Sequence, residues 1–311
     1  AHELPVRSLP NPFYSQYRLP IYRSLSTLPD LDVVHCHGPA TTGLLGRRYA
    51  AKHDVRSVYT HHTPIEDYLI QALRVEELSQ AIGKLYVAYE NRFLKSFDCV
   101  TASTSRIRRD VDHTQLPVGI ETETFQPQPD SLFDSEEPIV GYSGRMSTKK
   151  NLDEVVRFAK SAPDYRFVLV GEGPAREGLE RAAPDNVEFH DFMPREQLPT
   201  FYSSLDVFVT ASTCDTLGLS TLEANACGTP VAAADVQPFD ETIGPENGAR
   251  FAYGDLDDMR RAISECLLEP KPTRQAVEPF SVERTVDQLE SIYGADTADE
   301  SPDRMPAPAP P

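Results

Sequence analysis

Three short stretches of this sequence combine residue types suited to a charged, hydroxylated ligand. The first reads Gly141-Tyr142-Ser143-Gly144-Arg145-Met146-Ser147-Thr148-Lys149-Lys150-Asn151. Glycines admit close backbone approach, and Arg145 and Lys150 offer a forked and a point cation to a diphosphate. The glycine spacing and the ending differ from a Walker A loop, and an ordinary turn with solvated basic residues would use the same letters. The second stretch runs from Ser212 to Ala224. Asp215 precedes a turn at Gly218, and Glu223 follows eight positions after Asp215, inside the next helical run. A helix starting near Leu219 and Ser220 offers open N–H groups to an anion. Glu223, set back in the helix, could accept from ribose hydroxyls, and Asp215, at the mouth, from sugar hydroxyls. A capping Asp and a solvated Glu are the blander alternative. The third stretch, Thr60-His61-His62-Thr63-Pro64, could place an imidazole against a reacting hydroxyl. Neighbours on a strand point to opposite faces, so His61 and His62 are poor joint ligands of one ion. His35 and His37 share a face but have no acidic partner at ligand spacing, and no metal is expected.

Such residues need elements to hold them. Residues 32–37 form a short apolar run closed by Gly38-Pro39, which predicts a buried strand. A helix over 42–52, a strand over 56–60, a long helix over 66–95 and a strand over 99–103 follow. The pattern then restarts, with strands over 139–143, 166–170, 187–189, 207–210 and 231–234 and helices over 152–160, 176–183 and 220–227. Strands alternating with helices build parallel sheets with crossover helices, whose ligands sit at the carboxyl ends of the strands. The Pro- and acid-rich stretch 126–138, together with 116–120, reads as an interdomain linker. Residues 295–311 carry five Pro and no aromatic residue, the composition of a disordered tail.

A chain of 311 residues accommodates two ordinary domains. Its formal charge of −18 repels nucleic acid and anionic lipid as bulk partners. Seven Lys stand against 23 Arg, and an acid-rich, Lys-poor surface suits concentrated salt, although an ordinary acidic cytosolic protein would also fit. The odd number of cysteines, five, with no CxxC pair, points to free thiols in a reducing compartment rather than a structural zinc. No apolar run reaches membrane-spanning length. The start at Ala1 without Met reads as a fragment or a processed end. Gly171-Glu172-Gly173-Pro174 is a weak signal alone, and the absence of G-x-G-x-x-G from the first half argues against a dinucleotide dehydrogenase.

Taken in order, Gly144-Arg145 with Lys150-Asn151, Gly171-Glu172-Gly173-Pro174, residues 189–194, Asp206-Val207-Phe208-Val209 and residues 215–231 resemble the retaining glycosyltransferases of family 4. The resemblance spans residues 5–293. It implies an α/β protein of GT-B type, two Rossmann-like doubly wound domains facing across a cleft. The first domain would lack its N-terminal strand and Gly-rich loop. The acceptor-side domain would occupy residues 1–117 and the nucleotide-sugar-binding domain 118–280, with a helix over 281–294 returning to the first.

The resemblance also implies roles. Arg145 and Lys150 grip the donor diphosphate, and the backbone of Gly218 and Leu219 meets its distal phosphate. Glu223 holds the ribose, Asp215 lies near the donor sugar, Phe192 and Met193 flank the base, and His62 lies near the anomeric carbon. The donor would be a UDP- or GDP-sugar, with no metal required and no prosthetic group. Residues 58–68 and 7–20 further resemble the diacylglycerol glucosyltransferase-like branch, which implies a lipid or glycan acceptor and a cytoplasmic enzyme peripheral to the inner membrane face. Asp215 stands where the family usually has Glu, and Asp191 where Gly is common. A nucleotide-sugar-binding module of weak activity and a nucleotide-sugar epimerase remain open alternatives.

Overall fold

The computed structural model describes residues 8–10, 18–20, 29–39, 41–62 and 76–294. The chain divides into two compact units, Ala1–Leu116 with Asp287–Pro311, and Pro117–Val286. The expected tail at 295–311, and residues 66–75 of the expected long helix, lie outside the described residues.

In the first unit β3 (Val33–Cys36), β4 (Arg56–His61), β5 (Cys99–Ala102) and β6 (Thr114–Gln115) form a sheet in that order, every pairing parallel. A separate antiparallel pair joins β1 (Ser8–Pro10) to β2 (Arg18–Pro20). Helices α1 (Thr41–His53) and α2 (Glu76–Leu94) supply the crossovers. Short strands rich in Val, Tyr and Thr suit a sheet covered on both faces. Val34, Tyr49, Tyr59, Phe93, Leu94, Phe97 and Val100 make its core, in which Phe93 and Phe97 meet edge to face at 5.1 Å.

The second unit repeats the strand–helix alternation six times: β7 (Ile139–Ser143), α3 (Leu152–Lys160), β8 (Arg166–Val170), α4 (Arg176–Ala182), β9 (Val187–His190), α5 (Leu198–Ser203), β10 (Val207–Thr210), α6 (Leu219–Ala226), β11 (Val231–Ala234), α7 (Phe239–Thr242), β12 (Gly248–Phe251) and α8 (Leu256–Leu268). Helix α9 (Thr273–Val277) follows, and α10 (Val282–Gly294) starts in this unit while its residues from Asp287 on belong to the first. All strands are parallel, in the order β12-β11-β10-β7-β8-β9. From β7 the chain winds outward through β8 and β9, then returns to β10 on the other side and winds outward again. The reversal lies between β7 and β10. At such a switch point the loops leaving the two strands diverge to opposite faces and open a crevice at their carboxyl ends.

The structure adds short elements that the sequence reading lacks, β6, α5, α7 and α9, and differs from it in two further places. The stretches read as a linker, 116–120 and 126–138, do not hang free: Ile120 is nearly buried, the intervening Phe125 completely so, and Gln128 N and Leu132 N donate to the Ser203 and Ser204 hydroxyls at 2.9 Å. Two apolar residues among the prolines suffice to pin the stretch to the second unit. The pair β12 and α8 was not anticipated. Its helix begins at Asp255, whose carboxylate accepts from the N–H groups of Asp257 and Asp258 at 3.0 Å, a side-chain cap of the usual kind.

Candidate functional site

The loops leaving β7 and β10 carry most of the residues singled out from the sequence, and local backbone chemistry fixes them to each other. Asn151 ends the first loop in the left-handed region, φ 49°, a conformation Asn tolerates better than most residues. Its amide donates to the Ala211 carbonyl at 3.0 Å and to the Thr213 hydroxyl at 3.2 Å, both in the second loop. The loop after β8 closes on the first one as well. Met146 N donates to Glu172 O at 2.7 Å, and a Cβ on Gly171, at φ +135°, would fall 2.0 Å from the Gly144 carbonyl oxygen. Only glycine fits there.

On this frame Lys150 forms an ion pair with Asp215, each side chain about one-fifth to one-quarter exposed (25% and 19%). The cation and the acid expected to meet different parts of a ligand therefore neutralise each other directly. Arg145 is exposed on the same loop, its carbonyl accepting from the Tyr142 hydroxyl at 3.2 Å. Gly218 precedes α6 at φ +76°, and a Cβ there would meet Phe239 at 2.5 Å. No acidic residue occupies the first turn of α6, and Leu219 at its start is exposed. The first turn of α6 thus carries no acid of its own to compete with an anion at its N–H groups.

Glu223 lies one turn deeper and is only 8% exposed. Tyr202 donates to its Oε2 at 2.9 Å, and Arg195 approaches its Oε1 at 3.5 Å. Burial pushes the carboxyl above its ordinary range, while Tyr202 and Arg195 pull it back. Arg195 also pairs with Glu121 at 3.2 Å and lies 4.8 Å above the Phe125 ring. Of the residues after β9, Phe192 is exposed, Met193 packs partly on the core, and Asp191 pairs with Arg176 at 2.7 Å. The acid at the position where glycine is common thus ties its loop back to α4.

The first unit gathers imidazoles at the carboxyl ends of β3 and β4. His62 meets His37 at 2.8 Å between Nε2 and Nδ1, and the rings of His35 and His37 lie 4.3 Å apart, tilted by 30°. His35 bonds Thr60 Oγ1 at 2.6 Å and Tyr293 OH at 2.7 Å. Burial, then neighbouring imidazoles, lowers His62, and burial lowers His37; the same causes bring His35 down to about 4. The single hydrogen bond between two of these rings, His37 to His62, needs an N–H donor on one and a lone-pair acceptor on the other. His61 turns the other way, buried 3.9 Å from the fully buried Glu90. Among the described residues no group of three or more His, Cys, Asp or Glu could hold a metal ion, and the five cysteines are free.

Each residue anticipated from the sequence is accounted for within its own unit: Arg145, Lys150, Asp215, Gly218, Leu219 and Glu223 on the loops and helix flanking the switch point, Phe192 and Met193 after β9, and His62 in the first unit. Tyr202 and Arg195 as partners of Glu223, and Ser143 as the partner of Tyr202, are not foreseen from the sequence. Ser143 was visible as a strand end, but Tyr202 sits on a six-residue helix whose period is too short to declare a face.

The second unit matches a family described as glycosyl transferases group 1 over residues 125–279, and residues 2–121 match glycosyltransferase family 4. The chain belongs to glycosyltransferase family 4. It is 28% identical over 251 residues to the alpha-monoglucosyldiacylglycerol synthase of Acholeplasma laidlawii, a match covering 71% of this chain and 63% of that protein. The chain thus spans less than two thirds of that relative's length. Sucrose-phosphate synthase from Thermosynechococcus elongatus shares the fold with a TM-score of 0.72 at 25% identity, over 86% of this chain and 74% of that one. The structure of HepE from Anabaena in complex with UDP and glucose aligns with a TM-score of 0.65 at 17% identity, over 85% and 78% of the two chains. Rossmann-like α/β architecture of the GT-B type is common to all three. Among the described residues no helix is long and apolar enough to cross a membrane.

Proposed function

We propose that this chain is a retaining glycosyltransferase that moves a hexose from a UDP- or GDP-sugar to a hydroxyl of a lipid or glycan acceptor. The observation that carries the reading is the placement of Lys150, Asp215 and Glu223 on the two loops and the helix that flank the switch point of the second sheet. A diphosphate entering there would draw Lys150 toward its oxygens and free Asp215 for hexose hydroxyls. Arg145, Lys150 and the N–H groups at Gly218 and Leu219 would then meet the charge that grows on the leaving diphosphate as the glycosidic bond breaks. Glu223 accepts from the ribose, Phe192 and Met193 flank the base, and His62 stands near the anomeric carbon. No step in this scheme calls for a metal ion.

A lipid acceptor is supported by the diacylglycerol named in the Acholeplasma relative. Leu85 and Tyr89, exposed on α2, suit contact with the inner face of a membrane. The acid-rich, Lys-poor composition supports work in concentrated salt. The decisive test is a saturation-transfer NMR screen of UDP-, GDP- and ADP-sugars against the full chain, followed by transfer to diacylglycerol and to glycan acceptors. Binding, transfer and a product with the donor's anomeric configuration are expected. Conversion of the donor to another nucleotide sugar without acceptor would replace the proposal with an epimerase. Binding with neither transfer nor hydrolysis would reduce the chain to a binding module.

A further inference from the structure

Glu223 is an acceptor with an unusual supporting wall. Tyr202, on α5, is 1% exposed. Its ring is packed 5.7 Å from Phe208 and 6.2 Å from Phe125, and its carbonyl accepts from Thr229 at 2.6 Å. The phenol therefore has little freedom to turn. Its oxygen sits between two groups, Glu223 Oε2 at 2.9 Å and Ser143 Oγ at 2.7 Å. A phenol has one proton. Glu223 as carboxylate can only accept, so the tyrosine proton goes to Oε2, and Ser143 must donate to the tyrosine oxygen. The direction of the chain is fixed: Ser143 to Tyr202 to Glu223.

This relay engages one carboxylate oxygen only. The other, Oε1, has Arg195 at the long distance of 3.5 Å, and that guanidinium is shared with Glu121 and half exposed. A 3.5 Å contact to a half-exposed cation already shared with Glu121 leaves lone pairs of Oε1 open. The carboxylate thus has a rigid, occupied side and an open side next to a cation that helps keep it charged.

We propose that Tyr202, oriented by Ser143, is the positioning residue of Glu223: it binds Oε2 from within and thereby presents Oε1 as the single acceptor for a ribose hydroxyl. The inference rests on the nucleotide-binding reading given above and deepens it. Tyr202 touches no substrate in this scheme. It acts through Glu223, and its effect is confined to ligands that carry the hydroxyl Glu223 accepts. A merely structural role for Tyr202 would weaken all nucleotides alike.

Calorimetry on the full chain separates the possibilities, using UDP, GDP and ADP and their 2′-deoxy and 3′-deoxy counterparts. Wild-type protein should prefer one ribonucleotide over at least one of its deoxy forms by about tenfold, the worth of a hydrogen bond to a charged group. Tyr202→Phe should lose most of that preference while binding the disfavoured deoxy form as wild type does. Ser143→Ala, which removes a single hydroxyl, should lose a smaller part, about threefold, and carries the test should Tyr202→Phe fail to fold. Equal weakening of ribo and deoxy forms in the variants overturns the inference, as does an unchanged preference. A wild-type protein that binds a nucleotide without discriminating its deoxy forms overturns it too, leaving nucleotide binding intact. Wild-type protein that binds none of the three diphosphates overturns the functional reading itself, and this inference with it.

Discussion

In the second unit Lys150 faces Asp215 and Arg195 faces Glu223, opposite charges at a partly open crevice. In the first, three imidazoles whose protonation burial disfavours gather at the strand ends, and one ion pair is sunk into the interior. There Glu90 is fully buried, paired with Arg109 and bonded by the Tyr86 hydroxyl at 3.1 Å. The difference is one of solvent. A partly exposed ion pair keeps water within reach and can exchange its partner for a ligand, whereas a buried pair cannot be separated without stranding a charge. The second unit holds charges that are available for binding. The first unit's buried pair of Glu90 and Arg109 is structural, and its strand ends present imidazole donors and acceptors.

Breaking a pair in each unit should expose that contrast. Arg109→Ala leaves Glu90 buried without its cation and should lower stability by about 3–5 kcal/mol, read as a drop in the urea midpoint; a loss below 1 kcal/mol would show that water reaches Glu90. Lys150→Ala should do the reverse, leaving the midpoint near wild type while turnover falls on the order of a hundred- to thousandfold. Wild-type turnover in that variant would reject its role at the diphosphate. Gly171→Ala tests how firmly the second unit's loops are interlocked. With its Cβ against the Gly144 carbonyl oxygen and a φ of +135°, it should cost about 1–3 kcal/mol and weaken nucleotide binding as the β7 loop shifts; unaltered binding would mean that the loops move independently.

The smallest effect sharpens the imidazole half of the comparison. Burial holds His35 at about 4 against 6.5 for a free imidazole, and lowers His37 and His62 as well. Between those values the unfolded chain binds more protons than the folded one, so this contribution to stability is intact above pH 6.5 and drains away as pH falls toward 4. His35→Gln should flatten the pH dependence of the denaturant midpoint in that window, with hydrogen exchange in β3 and β4 following the same trend. An identical slope in the variant would show that His35 takes up its proton in the folded state as freely as in the unfolded one.

Much of the site was legible before any coordinates. Glycines, Arg145 and Lys150 after one apolar run, and Asp215 and Glu223 around another, are local patterns, because a strand that enters a loop and then a helix writes its period and its breaks into adjacent residues. Where the pattern was short or sparse it misled. Residues 116–120 and 126–138 read as a linker because prolines and acids dominate them, while their apolar anchors are only Ile120 and the intervening Phe125. Tyr202 stayed invisible because a buried tyrosine in a short helix looks like any core aromatic until its hydroxyl has neighbours.

What the sequence determined by itself was the kind and order of the elements, the family, and which residue types stand at the strand ends. These follow from interactions between residues near in sequence and from composition. The tertiary structure alone decided that β10 returns beside β7 rather than beyond β9, which places the Lys150 and Asp215 loops on either side of one switch point. It also decided that Ser143, Tyr202 and Glu223 form one directed chain. Partners separated by 59 and 21 positions leave no periodic trace, since their meeting is set by sheet order and core packing, where the free energy comes from burying faces that no local window contains.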